Sequence, residues 1–105
     1  MQLDQAIRVI KFFEGFRAKP YQDSAGVWTI GFGTTFLDGK MVSATTPAIT
    51  EQAAEAQVKL HATALAAQIA LNLKRLPTEG QMNALVVFAY NVGLGAFLKS
   101  TLLKL

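Results

Sequence analysis

Leu3, Ile7, Ile10 and Phe13 recur at helical spacing, with Asp4, Arg8 and Lys11 off that stripe, and this predicts an amphipathic first helix. Gly15 is placed to end it as a left-handed residue after the last turn. The pattern then changes between residues 20 and 43. "DSAG" is turn chemistry, "VWTIGF" alternates as a strand does, and "DGK" at 38–40 is a hairpin signal before "MVS", so a small antiparallel sheet is expected. From Thr50, a plausible N-cap, to about Lys74 the helical period returns, with Val58, Ala62, Leu65, Ile69 and Leu73 on one stripe. Pro77 separates this long helix from the next, and Thr78-Glu79-Gly80-Gln81 fits a capping box. The helix it opens, "QMNALVVFAYNV", is apolar almost all round and is expected to be buried and central. Gly93 and Gly95 break it, and "AFLKSTLLKL" starts another amphipathic segment whose Leu102, Leu103 and Leu105 call for cover.

Helix, small sheet, then helices is an α+β order, and 105 residues suit one domain. A helix-and-sheet lobe over 1–49 and a long helix with further helical segments over 50–105 are expected. Hydrophobic residues make up 51% of the chain, enough for a core and too many for a disordered one. Without cysteine there is neither a disulfide nor a thiolate metal site, and His61 stands alone on its helix without a second ligand nearby. The net charge of +3 is spread over scattered lysines and arginines, with no run that would track a phosphate backbone, so no nucleic-acid partner is expected. That sign suits an anionic polymer such as a bacterial wall. "GFG" at 31–33 lacks the third glycine and the following helix of a dinucleotide loop. The N-terminus does not read as a secretory signal, and the longest nearly apolar run, 84–90, is far short of the roughly 20 residues of a membrane span. A soluble protein made in the cytoplasm is the expectation.

Only seven residues are acidic, and two of them, Glu14 and Asp23, sit among apolar and glycine-rich neighbours. Glu14 falls in the last turn of the first helix, where the backbone dipole disfavours a negative charge. Phe12, Phe13 and Phe16 around it should add desolvation, so both effects push its pKa upward, as a general acid near neutral pH requires. A surface glutamate at a helix end is the other reading. Asp23 opens the turn "DSAG", where aspartate serves structure by binding backbone amides, and the same bonds favour its ionised form. Two carboxyls in such contrasting surroundings are the pattern of glycoside-cleaving sites. Alternation places Trp28, Ile30 and Phe32 on one face and Val27, Thr29 and Gly31 on the other. With the aromatic face inward, the Thr29 hydroxyl and the bare backbone of Gly31 turn toward a groove, although threonine is also a good strand residue.

Taken together, Glu14-x8-Asp23-x5-Thr29 within "EG(x4)PYxDxxGxWTIGxG" resembles the catalytic signature of phage-type lysozymes, the endolysins grouped as glycoside hydrolase family 24. "QMNALVVFAYNVGLGAFLKSTLL" is similar to that family's central-helix segment, and "DGK…ITEQAAE" fits between, so the likeness runs over nearly the whole chain. The resemblance implies a lysozyme-like α+β fold. It implies an endolysin, or muramidase, that hydrolyses the β-1,4 bond between N-acetylmuramic acid and N-acetylglucosamine in peptidoglycan with inversion. By the same resemblance Glu14 is the general acid, Asp23 the carboxylate that stabilises the oxocarbenium-like transition state or activates water, and Thr29 the residue that positions that water. Asn91 falls on the cleft side of the central helix as a substrate-binding residue, and Gly31 and Gly33 let the strand pass close to the sugar chain. No cofactor or metal is implied, and the protein is expected to act as a monomer on bacterial peptidoglycan without stable membrane insertion. It would wait in the host cytoplasm for holin-type release.

Two departures stand out. Thr34 occupies the place where many relatives carry histidine, and relatives run several tens of residues further, so the resemblance implies that the helical lobe over 50–105 is incomplete. The competing expectation is therefore a truncated, catalytically inactive peptidoglycan-binding remnant. A lytic transglycosylase is disfavoured because Asp23 and Thr29, which serve an attacking water, are both present.

Overall fold

The first helix, α1, spans Asp4–Glu14 and buries Ala6, Ile7 and Ile10 in a computed structural model that describes residues 2–93, 96, 97 and 99. It stops where anticipated: Gly15 takes φ +68°, and its N–H bonds the Lys11 carbonyl at 3.0 Å. The apolar stripe does not reach that far, however. Phe13 is 70% exposed and Phe12 83%, so burial ends one turn before the helix does.

Two small antiparallel sheets follow, rather than the single sheet expected. Strands β1 (Arg17–Gln22) and β2 (Trp28–Gly31) pair around the Asp23–Gly26 turn, and β3 (Phe36–Leu37) pairs with β4 (Lys40–Met41). Pro20 lies within β1 where its register against β2 shifts, consistent with a residue that has no N–H to give a ladder. Asp38 and Gly39 both take positive φ, 51° and 79°, the primed turn that matches the twist of a two-residue hairpin.

Helix α2 spans Glu51–Leu71 and begins as the sequence indicates, with the Thr50 hydroxyl accepting the Ala53 N–H at 3.0 Å. Ala54, Val58, Ala62, Leu65 and Ile69 form its buried stripe. It ends three residues short of the expected Lys74. The Asn72 side-chain amide takes the Gln68 carbonyl at 2.8 Å, while the Asn72 N–H turns to Ile69, tightening the last turn.

Helix α3 (Glu79–Val92) opens on the full capping box: Thr78 Oγ1 accepts the Gln81 N–H at 3.1 Å, and Gln81 Oε1 accepts the Thr78 N–H at 2.9 Å. Gly93 closes it, donating to the Ala89 carbonyl at φ +88°. The expectation that α3 is buried all round is corrected. It buries Met82, Asn83, Val86 and Ala89 on one face and leaves Ala84, Phe88 and Val92 exposed, because among the described residues packing partners lie on one side only. Gly95 and the leucines at 102, 103 and 105 lie outside the described residues.

The chain separates into two compact units, one of residues 11–58 and one of residues 1–10 with 59–105. In the second unit the buried Asn83 side chain is a three-way fastening. It accepts the Ala6 N–H at 2.8 Å and donates to the Gln2 and Glu79 carbonyls at 2.9 and 2.8 Å. His61 stacks on Tyr90 there, with ring centroids 4.8 Å apart. The first unit has its own core of Ile30, Phe32, Val42, Ala54 and Val58. No helix among the described residues is long and apolar enough to cross a membrane.

Candidate active site

The 11–58 unit holds Glu14, Asp23, Thr29 and Gly31, while Asn91 lies exposed in the last turn of α3 in the other unit. Glu14 is the final residue of α1 and is half-buried. Burial raises its carboxyl above the ordinary value of 4.5, in the direction anticipated. Of the three phenylalanines expected around it, Phe12 and Phe13 are largely exposed and Phe16 is half-buried. The Gly33 backbone stands against the carboxyl. A Cβ placed on Gly33 would stand 2.7 Å from Glu14 Oε2 and 2.9 Å from its Cδ, so the carboxyl rests in the space that any side chain at 33 would fill.

A tight loop presents that glycine. Ile30 and Thr34 exchange backbone bonds, Ile30 N–H to Thr34 O at 2.8 Å and Thr34 N–H to Ile30 O at 2.9 Å, which folds residues 31–33 into a knuckle. Gly33 sits in it at φ +82°, a conformation side chains rarely adopt. Thr34, whose backbone closes the loop, is buried.

Asp23 and Thr29 meet at one residue, Val27. Asp23 Oδ1 accepts the N–H of Ala25 at 2.8 Å and of Val27 at 2.9 Å, and Thr29 Oγ1 donates to the Val27 carbonyl at 2.9 Å. Both side chains are thus held through Val27, one on its donor and one on its acceptor. The second Asp23 oxygen accepts nothing among the described residues, and the residue is exposed. Thr29 has spent its proton on Val27, so its remaining lone pairs can only accept.

The open face assigned to Thr29 and Gly31 is corrected. Thr29 is 4% exposed, and Gly31 is buried at φ +66°. A Cβ at Gly31 would meet the Ala54 Cβ at 3.0 Å and Ile49 Cδ1 at 3.1 Å, so α2 and the segment before it close over that face of β2. The missing side chain at 31 serves packing. At 33 it leaves room for the Glu14 carboxyl.

One feature near the acid escaped the sequence reading. The Lys11 ammonium, one helical turn before Glu14, pairs with the Glu55 carboxylate on α2 and lies 5.5 Å from the centroid of Phe32, which in turn packs on Phe16 at 5.6 Å. No local spacing betrays a pair separated by 44 positions. No cluster of His, Cys, Asp or Glu fit to hold a metal occurs among the described residues.

Residues 11–105 match the phage lysozyme family. An endolysin of Acyrthosiphon pisum secondary endosymbiont phage 1 is 35% identical over 102 residues, covering 96% of this chain and 66% of that protein. An endolysin of Bacillus phage PZA is 41% identical over 107 residues, covering 99% of this chain and 40% of its own length. Among solved structures, an endolysin from Escherichia coli O157:H7 phage FAHEc1 superposes with a TM-score of 0.86 at 38% identity, covering 99% of this chain and 66% of that one. The chain therefore spans about two thirds or less of the length of these relatives.

Proposed function

Because the chain belongs to the phage lysozyme family, we propose that it is a muramidase that hydrolyses the β-1,4 bond between N-acetylmuramic acid and N-acetylglucosamine in bacterial peptidoglycan. The observation that carries the reading is the Glu14 carboxyl seated on bare Gly33 backbone, with its pKa raised by burial. A carboxyl whose pKa is raised by burial holds its proton to higher pH and can give it to the glycosidic oxygen as the bond breaks. Charge then develops on the sugar ring as an oxocarbenium-like centre. Asp23, whose one oxygen is tied to its turn and whose other accepts nothing among the described residues, stabilises that charge or takes the proton of the incoming water. Thr29 offers that water an acceptor, because its own proton is fixed on Val27. The water adds to the anomeric carbon, and the N-acetylglucosamine leaves as the free alcohol carrying the Glu14 proton. The proton given up by the water leaves to solvent, by way of Asp23 where Asp23 has taken it, and Glu14 takes a proton back from solvent, so both carboxyls return to their starting states.

In this reading Asn91, exposed near the end of α3, contacts substrate, whereas Gly31 contributes through packing. The protein acts as a monomer on peptidoglycan, needs no cofactor, and reaches the wall from the host cytoplasm after holin-type release. The test is release of reducing sugar ends from purified peptidoglycan by the parent chain and by Glu14→Gln. Release by the parent alone supports hydrolysis through Glu14. Anhydro sugar ends would instead mean transglycosylation, and binding to intact sacculi with no product from a folded chain would leave an inactive binding remnant.

A further inference from the structure

Lys11 stands three residues before Glu14 on α1, a spacing that makes two side chains neighbours on a helix surface. Left to itself, an ammonium there would swing to the carboxyl of Glu14. Instead it is drawn the other way, to the Glu55 carboxylate on α2 and onto the face of Phe32. All four residues belong to the 11–58 unit, and Phe32 adjoins Gly33, on which the Glu14 carboxyl rests. Glu14 itself has no hydrogen-bond or ion-pair partner among the described residues, which is an unusual state for a half-buried acid with a lysine one turn away.

Resting on the muramidase reading for its meaning in catalysis, we propose that Glu55 is a positioning residue: by holding Lys11 on α2, it keeps that cation off the Glu14 carboxyl. The other charges of the unit do not duplicate this task. Arg17 lies 4.6 Å over the Tyr21 ring, and Asp23 is bound into its own turn. Lys19, Asp38, Lys40 and Glu51 are the remaining ones, and the 30–34 loop that faces Glu14 carries no titratable side chain. Chemically, a general acid must keep its proton until the sugar oxygen takes it, and an ammonium beside it would favour early ionisation. Glu55 removes that ammonium without removing the lysine, whose head still lies over Phe32.

The deciding experiment is a carboxyl carbon-13 NMR titration of Glu14, which needs no substrate and so stands apart from any failure of the hydrolase reading. In Glu55→Gln, Lys11 is released toward Glu14, and the Glu14 midpoint is expected to fall by about one unit. The acid limb of the sugar-release profile should move with it. Glu55→Asp, which keeps the partner charge, is expected to restore most of the parent midpoint. In the double variant Lys11→Met with Glu55→Gln, the midpoint should return to the parent value, because the cation is gone. An unchanged midpoint in a folded Glu55→Gln protein would overturn the proposal. So would a fall that persists in the double variant, since Glu55 would then act on Glu14 by its own charge and not through Lys11.

Discussion

Gly33→Ala is the substitution that asks most of this site. The left-handed backbone at φ +82° costs an alanine roughly 1–2 kcal/mol, and the smaller unfolded-state entropy of alanine returns about 0.4–1 kcal/mol. The new Cβ also stands 2.7 Å from Glu14 Oε2 and 2.9 Å from Cδ, but those atoms end a flexible side chain and can swing aside. The net loss of stability is therefore about 1 kcal/mol, a fall in Tm of roughly 4–8 °C for a domain of this size. The functional loss should be out of proportion. Expelled from its seat, the Glu14 carboxyl regains water, its midpoint drops back toward 4.5, and release of sugar ends falls steeply at neutral pH. Thermal unfolding by circular dichroism and the Glu14 titration, on one preparation, separate the two effects. A Glu14 midpoint equal to that of the parent would refute the argument, for it would mean that Gly33 backbone does not cover the carboxyl. A Tm fall several times larger would refute the assumption that the side chain yields.

Other expectations follow from the same geometry. Glu14 ionises at a cost in the fold, so the parent loses stability as pH rises from 4.5 through the raised folded value; Glu14→Gln has no such loss, and its advantage in urea unfolding should grow across that window and then level off. His61 runs with the opposite sign: burial lowers its pKa, so unfolding takes up protons and stability falls as pH drops below 6.5, a slope that His61→Phe should flatten. Asn83→Ala strands the buried Ala6 N–H and frees two carbonyls, and should cost about 2–3 kcal/mol in urea unfolding with little change in m. Asn83→Asp keeps the acceptor but sets an oxygen against the Gln2 and Glu79 carbonyls, and should not rescue it.

Much of the fold is legible because its signals are local. Gly15, Thr50, the Thr78–Gln81 box and Asp38-Gly39 each specify backbone geometry within four residues, and each behaves accordingly. Asp23 was readable for the same reason, since its partners are two and four residues on. Properties that depend on what arrives from elsewhere in the chain were not. Alternation puts Thr29 and Gly31 on the face opposite Ile30, but it cannot show that Ile49 and Ala54 cover that face too. The apolar composition of α3 says that burial would be favourable, not that partners surround it. Glu14 came out right in direction, but its place against Gly33 depends on a loop that begins sixteen residues later.

The interleaving of the two units bears on how the chain is made. Residues 11–58 are contiguous, so that unit has every one of its residues as soon as they clear the ribosome. The other unit is split, and its opening segment must wait. Gln2 and Ala6 gain their Asn83 partner only after some eighty further residues have been synthesised. Until then the first turns of α1 have no tertiary fastening from that side, and an isolated helix of this length is marginal in water. Newborn chains therefore hold all of residues 11–58 before Asn83 emerges to fasten Gln2 and Ala6.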